Sequence, residues 1–212
     1  MEPTQSHAHA AYRDLEQRIV TLDLRPGMSV TERQLIDLVG LGRTPVREAL
    51  QRLSWEGLIE IRPRSGILVT DIRPEDYQRV MEPRLVLEPV LAASVARHAD
   101  AGHRQRLAVI IDAMEDAASD GDVESFLKAD KACDEVLADA CPNPFITRVL
   151  TPLQTHSRRL WFRFGAATGP AISAGLHIAV MRAICAADEP AAEAAMRALM
   201  RHLRDEAAGH LQ

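Results

Sequence analysis

The feature that most constrains the fold is the loss of every strand pattern after Pro74. From that residue onward apolar residues recur at helical spacing, and prolines lie at positions typical of helix starts. The sequence predicts six helices there, over about 75–98, 101–118, 121–140, 144–164, 170–187 and 190–208. We expect Pro83 and Pro89 to kink or interrupt the first of them. Residues 74–212 are therefore predicted to form an all-helical bundle.

Residues 1–73 have a different pattern, in which helices precede two β-type runs. Residues 1–9 are expected to be a disordered start, followed by an amphipathic segment. Thr31 and Gln34 fit a capping box that opens one helix, and a second helix follows a glycine turn at 40–42. The runs 58–61 and 67–69 flank a basic turn, the pattern of a wing hairpin. The sequence predicts a mainly α fold with two domains: a winged helix–turn–helix at 1–73 and a helical bundle at 74–212.

Two arginines point to nucleic acid as the partner of the first domain. Arg43 and Arg47 are four residues apart, so they project from one helix face, opposite the apolar stripe. Guanidinium groups near the start of a helix can bind guanine edges or phosphates. Alternatively, the pair belongs to a solvated charged face together with Glu48. The chain has a net charge of −5, but residues 25–66 carry seven arginines and only five acids, so this part is basic.

The same region resembles the winged helix of GntR-family bacterial transcription regulators. The residues that carry the resemblance are GRTPVREALQRL at 42–53, EGLI at 56–59 and RPRSGILV at 62–69. The resemblance implies that DNA is contacted by residues of the helices and by two residues of the wing. These are Arg33, Arg43, Thr44 and Arg47 in the helices, and Arg64 and Gly66 in the wing. Gly42 departs from the pattern, because relatives usually have Ser there.

The second domain resembles the ligand-sensing FCD domain of the FadR branch of that family. The residues that carry this resemblance are Arg84-x-x-x-Glu88-Pro89, Leu91-Ala92-Ala93, Asp130 ahead of Asn143, and His177 followed by Asp188. Six helices match its shorter, VanR-like subgroup.

Such domains commonly hold a divalent metal through an Asp, a His four residues later, and two His from the last two helices. Here Asp130 and His177 match these ligands. Asp134 stands at the second ligand position and Leu199 at the last, with His202 three residues further on.

The residues themselves also point to a site inside the bundle. Asp130 and Asp134 share a helix face with apolar residues, an unusual place for unpaired carboxylates. Bundles build metal sites from inward carboxylates and imidazoles, and this ligand set favours Zn, Mn, Ni or Fe. We predict a site of Asp130, Asp134, His177 and His202, with His156 as a further possible nitrogen donor. Alternatively, each histidine is a hydrogen-bonded core residue, and the aspartates are solvated or paired with arginine.

Arg84 and His177 are the predicted effector-binding residues. A buried arginine near a metal would bind a small organic acid through two hydrogen bonds. Arg84 could equally form an ion pair with Glu88 one turn later. In a pocket without metal, we expect His177 and Arg84 to hold the carboxylate of the effector directly.

These features predict a ligand-responsive transcription regulator rather than an enzyme. Its expected partners are double-stranded operator DNA, a small carboxylate effector and a second copy of the chain. A homodimer implies a pseudo-palindromic operator. The alternatives are a metal-dependent helical-bundle enzyme using Asp130, Asp134 and His177, and a DNA-binding protein without an effector.

The sequence also indicates where the chain is expected to act. No apolar run reaches the roughly 20 residues that cross a bilayer, so no membrane partner is expected. The three cysteines form no metal-type pair, and their odd number favours reduced thiols. We expect a cytoplasmic protein.

Overall fold

The structure is a computed structural model that describes residues 6–164 and 169–209. The chain divides between Arg73 and Pro74 into two compact units, here called the head and the bundle. The head contains α1 (His7–Val20), β1 (Ser29–Val30), α2 (Glu32–Val39), α3 (Arg43–Trp55), β2 (Ile59–Arg62) and β3 (Gly66–Val69). The bundle contains α4 (Pro74–His98), α5 (Ala101–Asp120), α6 (Val123–Ala140), α7 (Pro144–Phe164), α8 (Ala171–Cys185) and α9 (Glu189–Gly209). The predicted mainly α fold class, a winged helix–turn–helix plus a helical bundle, is confirmed.

Helix α1 starts earlier than the polar N-terminal sequence indicated. Residues 7–9 were expected to be disordered but are helical, because the Ser6 hydroxyl accepts a hydrogen bond from the backbone N–H of His9. Residues 1–5 of the expected disordered start lie outside the described residues. Tyr12, Leu15 and Ile19 form the buried stripe of this helix.

The small sheet of the head has strand order β1-β3-β2, and both pairs are antiparallel. The hairpin β2–β3 was predicted. Strand β1 was not, because two residues are too few to show an alternating pattern. Its pairing of Val30 with Ile67 ties the turn before α2 to the wing.

The two helices that follow β1 are positioned by local capping and by the core of the head. Thr31 and Gln34 form the predicted capping box at the start of α2. Four buried residues of α3, Val46, Ala49, Leu50 and Leu53, pack into this core. This burial directs the opposite face of α3 to solvent.

In the bundle, α4 is the central helix and packs against α7, α8 and α9. Helix α4 continues without a break through Pro83 and Pro89, so of the expected kink or interruption, the interruption is wrong. The neighbouring helices bury much of α4, and such packing can hold a helix together despite the hydrogen bonds that proline removes. In the described ranges, no helix is both long and apolar enough to cross a membrane.

Candidate functional site

The start of α3 carries a pair of arginines held by one carboxylate. The Nε atoms of Arg43 and Arg47 each donate to Glu32 at 2.8 Å, one to each carboxylate oxygen. These two hydrogen bonds lower the pKa of Glu32, so it is a carboxylate at neutral pH. Both arginines remain exposed, so the bridge orders their side chains without removing them from solvent.

The wing turn has an arginine in a conformation that usually belongs to glycine. The N–H of Ser65 donates to the carbonyl of Arg62 at 3.1 Å, which closes a turn with Pro63 and Arg64 in the middle. Arg64 has a φ of 64°, in the left-handed region. Proline followed by a left-handed residue is the arrangement of a type II turn, where the second of these is normally Gly or Asn. The turn therefore keeps a charged side chain at its tip at the cost of strain.

Gly66 follows the turn and is required by the approach of another strand. Its φ is 92°, and a Cβ atom there would lie 2.7 Å from the carbonyl oxygen of Val30. Only glycine fits this position without a shift of β1 or of the wing. Gly66 therefore allows β3 to pair with both of its neighbours.

A groove of about 420 Å³ lies between α3 and the wing. Of the six predicted DNA-contact residues, it is lined by Arg47, Arg64 and Gly66. Arg43 joins this group through Glu32, which also lines the groove. Arg33 and Thr44 are exposed on α2 and α3 but do not line it, and Arg33 lies 3.9 Å from the carboxylate of Asp37.

Sequence reasoning missed Glu32 as a residue of this groove, which Gln51 of α3 also lines. The position of Glu32 directly after the capping residue Thr31 is a usable signal, since it places a carboxylate at the first residue of α2. Its contact with α3 could not be read from spacing, because it depends on how the two helices cross.

The bundle contains a second candidate site, a cavity between its helices. Arg84 of α4, Asp130 of α6, Arg158 of α7 and His177 of α8 contribute polar groups to its wall. The apolar side of the wall is formed by Phe126, Leu127, Trp161 and Leu203. The remaining space is about 20 Å³, enough for about one water molecule. A carboxylate ligand would therefore need side chains to move.

Arg158 links the two aspartates that the sequence singled out. Its Nη1 lies 3.3 Å from Oδ2 of Asp130 and donates a short hydrogen bond to Oδ2 of Asp134. Its Nη2 donates to the hydroxyl of Thr155 at 3.2 Å. Arg158 is only 5% exposed, so this contact is made inside the bundle. The structure therefore shows the two aspartates paired with an arginine rather than solvated.

His177 joins the same cluster from α8. Its Nε2 lies 3.0 Å from Oδ1 of Asp130, and its Nδ1 lies 2.8 Å from the carbonyl oxygen of Ser173. Burial lowers the pKa of His177, but the charge and hydrogen bond of Asp130 outweigh it and raise the pKa above its usual value. His177 is thus both a hydrogen-bonded core residue and a residue of the cavity wall.

The two aspartates have opposite pKa shifts. Burial alone would raise the pKa of Asp130, but His177 and Arg158 lower it below its usual range. The pKa of Asp134 is raised, first by burial and then by the neighbouring charge of Asp130. Two carboxylates that share one guanidinium are expected to differ in this way, because only one of them also contacts the imidazole.

Arg84 forms the expected ion pair with Glu88 and also lines the cavity. Its Nε donates to Glu88 at 2.9 Å, so the expected ion pair along α4 is present and buried. Glu88 also accepts a hydrogen bond from Gln154 of α7 at 3.2 Å. At the same time Arg84 contributes to the wall of the cavity. The pair therefore fixes the arginine beside the cavity.

The other predicted metal ligands do not join this cluster. His202 lies 3.6 Å from Glu206 on its own helix and does not line the cavity. His156 is half-buried on α7 and does not line it either. Across residues 6–164 and 169–209, no group of three or more His, Cys, Asp or Glu side chains has an arrangement that could hold a metal ion. Sequence reasoning missed Arg158; the signal was two consecutive arginines, Arg158 and Arg159, directly before the apolar residues Leu160 and Trp161.

Comparison with known proteins gives the same division of the chain. Residues 7–69 match the family described as bacterial regulatory proteins, gntR family, and residues 79–202 match the FCD domain. An uncharacterised HTH-type transcriptional regulator in an unstable DNA locus of Streptomyces ambofaciens is 28% identical over 203 residues, covering 92% of this chain and 82% of that protein.

Two further matches cover one part or the whole of the chain. The HTH-type transcriptional repressor RspR of Escherichia coli is 32% identical over 96 residues, which is 45% of this chain and 42% of RspR. The solved structure of E. coli McbR/YncC superposes with a TM-score of 0.81 at 17% identity, covering 98% of this chain and 99% of that one. This last likeness shows the fold.

Proposed function

We infer the function of this chain from its family: it belongs to the GntR family of bacterial regulatory proteins and carries an FCD domain. It is a transcriptional regulator with a DNA-binding helix–turn–helix domain. Beyond this, we propose that it binds a pseudo-palindromic operator as a homodimer and responds to a small carboxylate in the bundle.

The observation that carries the DNA proposal is the groove between α3 and the wing. It gathers Arg47, Arg64 and Gly66, and Glu32 orients Arg43 beside them. Helix α3 presents Arg43 and Arg47 near its exposed N-terminal end, the end that reads bases in helix–turn–helix domains. We assign base contacts to Arg43 and Arg47, backbone contacts to Arg33 and Thr44, and contacts with both phosphate and the minor groove to the wing.

The test of this assignment uses an operator selected from a random double-stranded DNA pool. Arg43→Ala and Arg47→Ala should each weaken binding to it by about 1–3 kcal/mol, because each removes a guanidinium that can bond guanine with two hydrogen bonds. Arg201→Ala, an exposed arginine of α9, is the matched control and should have no effect. Unchanged affinity and salt dependence in both α3 variants would reject the assignment.

The support for a homodimer is a set of exposed apolar side chains on α4 and α7. Glu88 lies next to Gln154, and Met81 lies next to Ser157, so the two helices run antiparallel. This pairing places Val90 of α4 at about the level of Val149 of α7. Val86 and Phe145 are exposed on the same two helices. We propose that these four side chains form one apolar patch and that this patch is the subunit interface.

The effector proposal uses the cavity in the bundle. Arg84, Arg158 and His177 line it with polar groups, and aromatic and aliphatic side chains complete the lining. A small carboxylate with a short apolar body matches both kinds of group. An effector that binds one bundle conformation more tightly than another shifts the protein toward that conformation. The free energy of DNA binding can then change by at most the difference between the effector's two binding free energies.

His177 gives the test of the effector site. A panel of small carboxylates is screened by the melting temperature of the protein and then by operator binding. We expect His177→Ala to abolish the response to any acid that shifts both readouts and to retain operator binding. A normal response in that variant would place the effector elsewhere.

A further inference from the structure

The carboxylates predicted to bind a metal are bound by an arginine of the same bundle. Arg158 donates to Asp134 and lies 3.3 Å from Asp130, and its side chain is buried. A divalent ion that used these oxygens would have to sit about 2.0–2.2 Å from them. The guanidinium of Arg158 faces the same two oxygens, so the ion and the arginine compete for one place.

The charges of the cluster are already matched within it. Arg84 pairs with Glu88, His177 pairs with Asp130, and Arg158 bridges Asp130 and Asp134. The three carboxyl groups therefore meet two guanidinium groups and an imidazole. A divalent cation bound by the same oxygens would add positive charge directly beside Arg158. The repulsion between this cation and the guanidinium is strong because the site is buried.

The nitrogen ligands that would offset this repulsion are not in the cluster. Leu199, at the position of the last family ligand, is an apolar side chain buried in the bundle. His202 contacts Glu206 instead of the cavity. A metal would find one imidazole and two carboxylates that are already hydrogen-bonded, so these residues do not fit the metal that the family resemblance implies.

We infer that Arg158 is the built-in cation of this cavity and that the cavity works without a divalent metal. The guanidinium holds α6 and α7 together through Asp130 and Asp134, the role that an ion would otherwise have. An anionic ligand that enters the cavity then meets an arginine rather than a metal ion. The anionic ligand in this inference rests on the proposed function. The absence of a bound metal does not, because it is a property of the protein alone.

The first experiment measures bound metal directly. The full-length protein and His177→Ala are each incubated with Zn²⁺, Ni²⁺ or Mn²⁺, freed of unbound ion by gel filtration, and analysed for metal per chain. Equal metal content in the two proteins is the expected result. A higher content in the wild type, by about one ion per chain, would overturn the inference.

The second experiment asks whether Arg158 is what excludes the metal. Asp134→His restores the imidazole of the family pattern, and it is compared with the double variant Asp134→His, Arg158→Met. We expect the double variant to bind Zn²⁺ at least about tenfold more tightly, since neighbouring groups change metal affinity by about 10–100-fold. The matched control is Asp134→His with Arg163→Met, which removes an exposed arginine of the same helix.

Equal Zn²⁺ affinity of all three variants would show that Arg158 does not exclude the ion and would overturn the inference. If the double variant does not fold, the metal content of the wild type still decides. Neither measurement uses DNA or effector, so a failure here is distinguishable from a failure of the proposed regulatory function.

Discussion

At the scale of single residues, Glu32 is the least expected member of the proposed DNA-binding face. A carboxylate beside phosphates is unfavourable by itself, yet this one orients both Arg43 and Arg47 through their Nε atoms. The terminal nitrogens of a guanidinium held in this way can point toward bases. We therefore regard Glu32 as a positioning residue for the two arginines.

This role predicts a loss of selectivity rather than of affinity. Glu32→Gln should lower the ratio of operator affinity to non-specific affinity about tenfold, because arginines released from the carboxylate can pair with any phosphate. Glu75→Gln, an exposed acid at the start of α4, removes the same charge from the bundle and should leave the ratio unchanged. Both affinities can be measured by titration of labelled operator and of a scrambled duplex. If the ratio does not change, Glu32 has no positioning role.

At the scale of the secondary-structure element, the wing shows a conflict between stability and binding. Arg64 occupies a left-handed conformation that costs a non-glycine residue about 1–2 kcal/mol. Glycine avoids that cost but loses more entropy on folding. We therefore expect Arg64 to serve binding rather than stability.

Arg64→Gly is expected to have opposite effects on the two properties. The free energy of unfolding should rise by about 0.5–1 kcal/mol as the strain is removed. The slope of log affinity against log salt should become shallower by about 0.9 for each phosphate contact that a wing loses, and therefore by about 1.8 for the proposed dimer. Urea unfolding and DNA titrations at several salt concentrations measure these quantities.

A conservative control separates the two effects. Arg64→Lys keeps both the strain and the charge, so its stability and salt slope should remain those of the wild type. A wild-type slope in Arg64→Gly would mean that the wing tip does not reach the DNA.

At the scale of the whole molecule, the proposed homodimer implies that DNA is read with two-fold symmetry. A C2 interface uses the same patch on both subunits, so one substitution changes the interface twice. An aspartate introduced at the patch of α4 and α7 would place two unpaired carboxylates in it, and each is costly when buried.

We therefore expect the wild type to sediment as a dimer at micromolar concentration. Val90→Asp and Phe145→Asp should each shift it to a monomer. Val109→Asp, at an exposed valine of α5, is the control and should leave the dimer intact. A wild-type monomer with and without DNA would refute the dimer, whereas dimeric patch variants would place the interface elsewhere.

Much of the fold follows from local sequence because its signals act over a few residues. The capping box at Thr31, the stripe along α3 and the spacing around Arg43 and Arg47 all depend on the 3.6-residue period or on side chains three to four positions apart. Several helix ends shifted by one or two residues for the same local reason. For example, α6 starts at Val123 because Asp122 caps it, two residues later than predicted.

The tertiary structure alone decided which distant groups meet. The contacts of Glu32 with α3, and of Arg158 with Asp130 and Asp134, join residues on different helices whose packing no local pattern specifies. The pKa values of the two aspartates also depend on distant residues, because burial and neighbouring charge move them in opposite directions. The sequence by itself predicted that carboxylates, an imidazole and Arg84 lie inside a helical bundle. The packing of α6 against α7 determined that the cation between the carboxylates is an arginine.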